Sequence, residues 1–234
     1  MKINLLIIFL SFNLFPNENF IGEKLKYKAD FRLFNAGDAL LSFDIKVDKK
    51  DTLYYLEAEI KTNSFLDKFY RVRDNIKLLL NPLDYSLAKV EKYISQGKYK
   101  KKHIAEIDNI KNQIRYDDKI IQKSDLLYDP LSLIYVIRNK LYNEDLDIDL
   151  TIYDMGKQKK IKLKNKKNEI IEVPYGKFDC FLIIPESKDE KKLLKNNGNM
   201  KVWFAKNKNF LPVKIEQSTN FGKMVLELES ISVN

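Results

Sequence analysis

The chain contains few residues of the types that carry out chemistry. His103 is the only histidine and Cys180 the only cysteine. A zinc or similar site needs several nitrogen or sulfur ligands, and one cysteine cannot form an intramolecular disulfide. Cys180 lies between apolar residues in FDCFLII, where a small buried side chain is expected. We therefore predict no metal site and no reactive thiol.

Ser132 and several acidic pairs are the remaining candidates for catalysis. Ser132 has no G-x-S-x-G pattern around it, and it lies near an inferred helix start, where serine satisfies free backbone N–H groups. Asp147 and Asp149 alternate with apolar residues along an inferred strand, so they are expected to face water. The sequence has no glycine-rich phosphate loop. We predict a non-enzymatic protein without a cofactor; a carboxylate-dependent glycan or lipid hydrolase is the less favoured alternative.

Alternation of apolar and polar residues dominates the rest of the chain. In KLKYKADFRLF, Leu25, Tyr27 and Phe31 fall on one face, while lysines occupy the other. Roughly a dozen segments of this kind follow one another, bounded by Asn, Asp, Gly or Pro. This pattern predicts an all-β, mainly antiparallel fold: a large curled sheet or incomplete β-barrel, lipocalin-like or lipoprotein-carrier-like.

One segment, DPLSLIYVIRNKLY at residues 129–142, has helical periodicity instead. Asp129 suits the N-cap and Pro130 the first helical position. Four apolar residues share one face by their i, i+3, i+4, i+7 spacing: Leu133, Ile134, Ile137 and Leu141. We expect one short helix, which either caps the opening of the curled sheet or packs across its outer face.

Arg138 lies on this inferred helix. A buried arginine must be paired, and Asp74 and Asp129 are its candidate partners. We therefore predict a structural network of Asp74, Asp129 and Arg138 that ties the helix to the sheet.

Aromatic residues are numerous, with 14 Phe, 13 Tyr and one Trp. On inward strand faces they could line an amphipathic pocket, although ordinary core packing explains the same pattern. The candidates for a ligand-binding wall are Tyr27, Phe31, Phe43, Tyr135, Arg138 and Trp203.

The N-terminus resembles a secretory signal peptide. One lysine precedes an apolar run over residues 3–15, and Pro16 follows it. We assign residues 1–20 to the signal and residues 21–234 to a single β-rich domain, which predicts a periplasmic or exported protein. No small-x-small pattern marks a cleavage site, so a retained membrane-surface anchor stays open.

The formal charge is +9, and lysines concentrate in KYKKKH at residues 98–103 and KQKKIKLKNKK at residues 157–167. A basic surface points to anionic partners, while biased composition would also place lysines at solvent-facing strand positions. Export argues against nucleic acid, and a membrane surface is a further candidate partner.

Several segments, taken in order, resemble a bacterial exported family. They are GEKLKY, AGDALL, SFLDKFYRVRDN, DPLSLIYVIR, VPYGKFDCFLI, VWFAKNKNFLPVKIE and FGKMVLEL. Their order is similar to that of the family called domain of unknown function 3108. The resemblance implies a periplasmic or surface-facing β-rich domain, and it implies no activity and no catalytic residues.

Three functions are compatible with these features. The first is a periplasmic, non-enzymatic module that binds an amphipathic or anionic envelope molecule such as a lipid, glycolipid or polysaccharide. The second is a structural or assembly protein of the envelope that acts through its basic surface. The third is the hydrolase described above.

Overall fold

Across the residues that the structure describes, fifteen strands join into one sheet that curls around one α-helix. The computed structural model describes residues 20–31, 34–48, 51–123, 125–142, 148–187, 200–219 and 222–233. The strands are β1 (Glu23–Phe31), β2 (Phe34–Asp48), β3 (Asp51–Thr62), β4 (Arg73–Leu80), β5 (Leu87–Gln96), β6 (Tyr99–Asp108), β7 (Gln113–Tyr116), β8 (Lys119–Gln122), β9 (Leu127–Tyr128), β10 (Ile148–Asp154), β11 (Lys157–Val173), β12 (Gly176–Ser187), β13 (Met200–Ala205), β14 (Pro212–Thr219) and β15 (Gly222–Val233); the helix is α1 (Ser132–Tyr142).

The strand order is linear, with β8 at one edge and β9 at the other, and β1 pairs with β15 near the middle. All neighbours are antiparallel except β9 and β10, which are parallel. Side chains join the two halves of the sheet, because Lys92 on β5 contacts Asp154 on β10 and His103 on β6 contacts Tyr153 on β10. The sheet is thus curled and unclosed, which confirms the predicted fold class.

The alternation seen in the sequence sets the inner face of the sheet. Along β1, Leu25, Tyr27 and Ala29 are buried while Lys26 and Lys28 are exposed. Period-two alternation places successive side chains on opposite faces, so one face packs inward and the other meets solvent.

Helix α1 fills the interior of the curled sheet. Its residues from Ser132 to Arg138 are all buried, so the first two turns are covered on every side. The prediction of a one-sided helix, and the alternative of a helix on the outer face, are therefore wrong: the sheet curls far enough to cover the polar side of the helix as well. Asp129 caps the helix as predicted, because its Oδ1 accepts a hydrogen bond from the backbone N–H of Leu131 at 3.0 Å.

The strand boundaries differ from the sequence prediction in two places. Residues 157–173 form one strand of 17 residues, where two strands had been expected. A register shift between Asn165 and Lys167 accommodates the polar break as a β-bulge, so the strand bends without ending. The two-residue strand β9 is too short for its alternation to be recognised.

The predicted signal peptide lies outside the described residues except for Phe20. Phe20 is buried and packs against Phe43 and Tyr135 at ring-centroid distances of 6.1 and 5.4 Å. This residue is therefore part of the hydrophobic core. Among the described residues, no helix has the length and apolar character needed to cross a bilayer.

Candidate functional site

The buried Arg138 anchors the C-terminal half of α1. Its guanidinium donates to both carboxylate oxygens of Glu23 on β1, at 2.5 and 2.8 Å, and its Nε and Nη2 donate to the backbone oxygen of Asn209 at 3.1 and 3.0 Å. The ring of Phe20 lies 4.0 Å from the guanidinium carbon. Burial by itself would lower the pKa of Arg138, but the Glu23 carboxylate outweighs burial and leaves the pKa raised.

The predicted partners of Arg138 were wrong. Asp74 accepts hydrogen bonds from the backbone N–H of Ser95 and the side chain of Gln96, at 2.9 and 2.6 Å. Asp129 belongs to a different ion cluster. The underlying expectation that a buried Arg138 must be paired is confirmed, and the partner is Glu23 because β1 lies beside the C-terminal half of α1.

A second buried ion cluster anchors the N-terminal end of α1. Lys92 Nζ lies 2.6 Å from Asp129 Oδ2 and 2.8 Å from Asp154 Oδ1. Burial opposes the charge on Lys92, but the two carboxylates hold its pKa above the ordinary value. Burial raises the pKa of Asp129, and the second carboxylate nearby adds to this increase. The two ion clusters together fix both ends of the helix.

His103 extends the N-terminal cluster toward β10. Its Nε2 lies 3.0 Å from the hydroxyl oxygen of Tyr153. Burial and the neighbouring Lys92 lower the pKa of His103, so the imidazole is neutral at pH 7. Within the described residues, no three His, Cys, Asp or Glu side chains come close enough to hold a metal ion.

The residues predicted to line a ligand pocket make core contacts instead. Phe43 stacks on Tyr135 with a centroid distance of 4.3 Å, and the Tyr135 hydroxyl donates to Glu23 at 3.3 Å. The Tyr27 hydroxyl donates to the backbone oxygen of Pro212 at 2.9 Å. These side chains contact one another and the backbone, and they hold the helix and the sheet together.

The last two aromatic candidates lie away from this cluster of rings. Phe31 is partly exposed at the end of β1, opposite Phe34 and Met224 in the neighbouring strands. Trp203 is buried, and its Nε1 donates to Glu169 Oε2 at 2.7 Å. The six candidates therefore do not form one site.

Two open clefts lie on the described surface. One, of about 330 Å³, is bounded by Asp125, Asp149 and Lys160; the other, of about 560 Å³, is bounded by Glu106 and Arg115 among others. Acidic and basic side chains face each other in both clefts. Neither cleft therefore concentrates one sign of charge.

Within the part of the chain that the structure describes, three exposed aromatic side chains occur together in the connection between β3 and β4. We call residues 64–71 the aromatic turn. Phe65, Phe69 and Tyr70 are 66%, 75% and 53% exposed, and the rings of Phe65 and Phe69 meet edge to face at 5.6 Å. Three aromatic rings projecting into solvent within six residues form a patch that is uncommon on a surface with no partner.

Polar contacts hold the aromatic turn in one conformation. A short 3₁₀ turn at Leu66–Lys68 begins where Asn63 Oδ1 accepts from the backbone N–H of Leu66 at 2.9 Å. Asp67 accepts from Arg73 Nη1 and Nη2 at 3.0 and 2.5 Å, and the Thr62 hydroxyl donates to Asp67 at 2.5 Å. The ion pair with Arg73 lowers the pKa of Asp67, so its charge is kept and balanced.

The hairpin turn between β5 and β6 lies against the aromatic turn. The backbone N–H of Gly97 donates to Arg71 O at 2.8 Å. Gly97 has φ +58°, and a Cβ on it would lie 2.7 Å from Tyr70 Cε2, so the Tyr70 ring rests directly on this glycine. The two turns therefore form one continuous surface.

Basic residues occur beside these rings in the turn and in the adjoining hairpin. Lys68 and Arg71 belong to the aromatic turn, and Lys98 and Lys100 belong to the adjoining hairpin; all four are exposed. The acidic residue of the turn, Asp67, is already paired with Arg73. Apolar rings with cations around them suit a ligand that is both apolar and anionic.

Sequence reasoning did not identify the aromatic turn as a site. The segment SFLDKFYRVRDN was recognised as one of the family-like motifs, and its aromatic residues were not singled out. One feature of the sequence could have indicated that these rings are exposed. The three aromatic residues lie in a stretch that lacks the period-two alternation expected of a strand with one buried face. Aromatic residues outside an alternating or helical pattern are candidates for exposure.

One solved structure supports this fold. A β-barrel-like protein of domain of unknown function DUF1849 from Brucella abortus has a similar structure, with a TM-score of 0.63 and 9% identity over 92% of this chain and 98% of that chain. A protein with a YmcC-like fold from Bacteroides fragilis has a TM-score of 0.35 and 13% identity, over 93% and 98% of the two chains. No curated protein matches the sequence. The family described as protein of unknown function DUF3108 matches residues 26–229. The chain therefore belongs to the DUF3108 family.

Proposed function

We propose that this protein is a non-enzymatic binding module of the bacterial envelope whose ligand is an amphipathic, anionic molecule of the lipid or glycolipid class. The proposed place of action is the periplasm, as the N-terminal signal sequence predicts. The binding site is the aromatic turn with its basic border, on the outside of the sheet.

One observation supports this function above the others: the exposed rings of Phe65, Phe69 and Tyr70 share one turn and its adjoining hairpin with four exposed basic residues, Lys68, Arg71, Lys98 and Lys100. An aromatic ring next to an acyl chain contributes apolar contact area, and a lysine or arginine beside it attracts a phosphate or carboxylate head group. A neutral apolar ligand would not use the cations, and a simple polyanion would not use the rings.

The ion pairs and ring contacts between helix α1 and the sheet support an external site. The buried charges of Arg138 and Lys92 both have carboxylate partners, and the rings of Phe43 and Tyr135 stack on each other. A lipid chain in the interior would have to displace helix α1 and separate these ion pairs, leaving buried charges unpaired at a cost of several kcal/mol.

Native mass spectrometry of the exported chain, mixed with a dispersed short-chain phosphatidylglycerol, tests this function. We expect a one-to-one adduct with phosphatidylglycerol and only weak adduct formation with phosphatidylcholine of the same chain length. The double variant Phe65→Ser/Phe69→Ser should form no adduct with phosphatidylglycerol. A chain that binds neither lipid, or a double variant that binds as the parent does, would overturn the proposal.

A double variant at the opposite end of the sheet provides the matched control. Leu83 and Ile110 are exposed apolar residues in the β4–β5 and β6–β7 turns. Successive turns of an antiparallel sheet alternate between its two ends, so these turns lie at the end away from the aromatic turn. Leu83→Ser/Ile110→Ser should leave the adduct unchanged.

A further inference from the structure

The geometry of the aromatic turn points to a more specific partner, an anionic lipid bilayer, and this inference rests on the proposed function. We infer that the end of the curled sheet carrying the aromatic turn docks on a membrane surface, with Phe65, Phe69 and Tyr70 entering the interfacial region. The basic side chains around them then lie at the level of the head groups.

The first argument is the shape of the surface. Phe65 and Phe69 are 66% and 75% exposed, so they project from the turn. Projecting rings fit a soft, flat partner into which they can insert, whereas an enclosed small-molecule site is concave and buries most of its lining. Tyrosine adds an apolar ring with a polar tip, which favours the boundary between acyl chains and head groups.

The second argument is the arrangement of charge. Lys68 and Arg71 flank Phe69 and Tyr70 along the turn, and the adjoining hairpin adds Lys98. An amphipathic surface with aromatic residues inserted and basic residues around them is the arrangement found in peripheral membrane-binding segments. Each basic residue near an anionic membrane increases the partition coefficient about fivefold.

The third argument is that the aromatic turn is ordered before it binds. The Asp67–Arg73 ion pair and the Thr62 hydroxyl hold the 3₁₀ turn, and the Tyr70 ring packs against Gly97. A surface that is already ordered loses little conformational entropy when it docks, so more of the contact energy appears as affinity.

Vesicle flotation with the full chain tests this inference. The vesicles are phosphatidylcholine alone, and phosphatidylcholine with about a quarter phosphatidylglycerol. We expect binding to the anionic vesicles only, and weaker binding as salt is raised, because exposed charges are screened. Phe65→Ser/Phe69→Ser should lower the partition coefficient on the order of 100-fold, and Lys98→Gln/Lys100→Gln should lower it roughly 30-fold.

Two control variants exclude general effects of surface polarity and charge. Leu83→Ser/Ile110→Ser removes apolar side chains at the opposite end of the sheet, and Lys111→Gln removes a lysine from the same end as Ile110. Both should bind anionic vesicles as the parent chain does. Circular dichroism and the melting temperature confirm that every variant is folded.

The outcomes separate the docking inference from the proposed function. Failure to float with anionic vesicles, together with a one-to-one adduct of dispersed phosphatidylglycerol, overturns bilayer docking and leaves a lipid-binding module. Failure in both assays overturns both. If the chain forms a concentration-dependent dimer that Phe65→Ser/Phe69→Ser dissociates, the partner of the aromatic turn is a second copy of the chain, which overturns bilayer docking. Equal binding to both vesicle types would show that the basic residues are not used, which overturns the preference for an anionic bilayer.

Discussion

Replacing Arg138 with methionine is the perturbation whose effect the structure determines most closely. Methionine keeps much of the apolar side-chain volume but leaves the Glu23 carboxylate buried without a cation, and leaves the backbone oxygen of Asn209 without its donor. Removing one partner of a buried ion pair costs about 3–5 kcal/mol. Two charge-assisted hydrogen bonds to Glu23, at about 1.5–3 kcal/mol each, give the same range.

The corresponding change in melting temperature is large enough to measure easily. In a chain of this size each kcal/mol lowers Tm by about 2–4 °C, so Arg138→Met should lower it by roughly 6–20 °C. The single tryptophan, Trp203, is buried and reports unfolding by fluorescence during urea and thermal titrations.

A double-mutant cycle distinguishes the ion pair from simple loss of packing. Glu23→Gln/Arg138→Met removes both charges, so it should be more stable than the sum of the two single changes predicts, with a coupling of about 1–3 kcal/mol. Lys26→Met breaks the exposed pair with Glu229 and should leave Tm unchanged. A loss below about 1 kcal/mol for Arg138→Met, or strictly additive single effects, would refute the anchor.

Three further predictions concern other parts of the structure. His103, as the only histidine, should titrate in an NMR experiment with a pKa below its ordinary 6.5, because burial and Lys92 disfavour the imidazolium. The stability that the neutral ring contributes is then complete above pH 6.5 and is lost as the pH falls through the pKa of the folded state. A titration midpoint at or above 6.5 would contradict the buried cluster. Phe20→Ala should destabilise the chain by about 3–5 kcal/mol in urea denaturation, because its buried ring packs under the guanidinium of the anchor, and a loss below 1 kcal/mol would place this residue outside the core. Gly97→Ala should lower Tm slightly, because an alanine in the left-handed backbone conformation is strained by about 1–2 kcal/mol. It should also weaken vesicle binding, because the added Cβ displaces the Tyr70 ring. Unchanged binding would show that this position of the ring is not needed.

The fold could be predicted from sequence because its main signals are local. Period-two alternation gave the inward faces of the strands, and the i, i+3, i+4, i+7 pattern gave helix α1. The packing around the helix could not be obtained in this way, because the degree of curling depends on contacts between β5 and β10 that are far apart in sequence. This is why the helix was expected to be one-sided and is instead surrounded.

The partner of Arg138 could have been found by a closer use of the same alternation. Glu23, Leu25 and Tyr27 are spaced two residues apart on β1, so Glu23 points inward with the two apolar residues. Lys92 lies two residues after Val90 on β5, so it shares the inward face of that strand and is also buried. A charged residue in phase with an apolar strand face is a candidate for a buried ion pair, whereas Asp74 was proposed from its position in a motif.

The contacts of the inward-facing aromatic residues could not be predicted from the sequence. Tyr27, Phe43 and Tyr135 point inward as predicted, but only three-dimensional packing shows that they contact each other and their hydrogen-bond partners. Aromatic residues in an alternating strand indicate the direction of the side chain, and they do not indicate whether a cavity lies there.

Hydrogen exchange of the full chain, with and without anionic vesicles, tests the proposed binding surface most directly. We predict slower exchange in residues 62–72 and 95–100, with no change in α1, because the ligand contacts the outside of the sheet and the two ion clusters stay closed. Slower or faster exchange concentrated in α1 and the strands around it, with the aromatic turn unaffected, would contradict this account and assign binding to the interior.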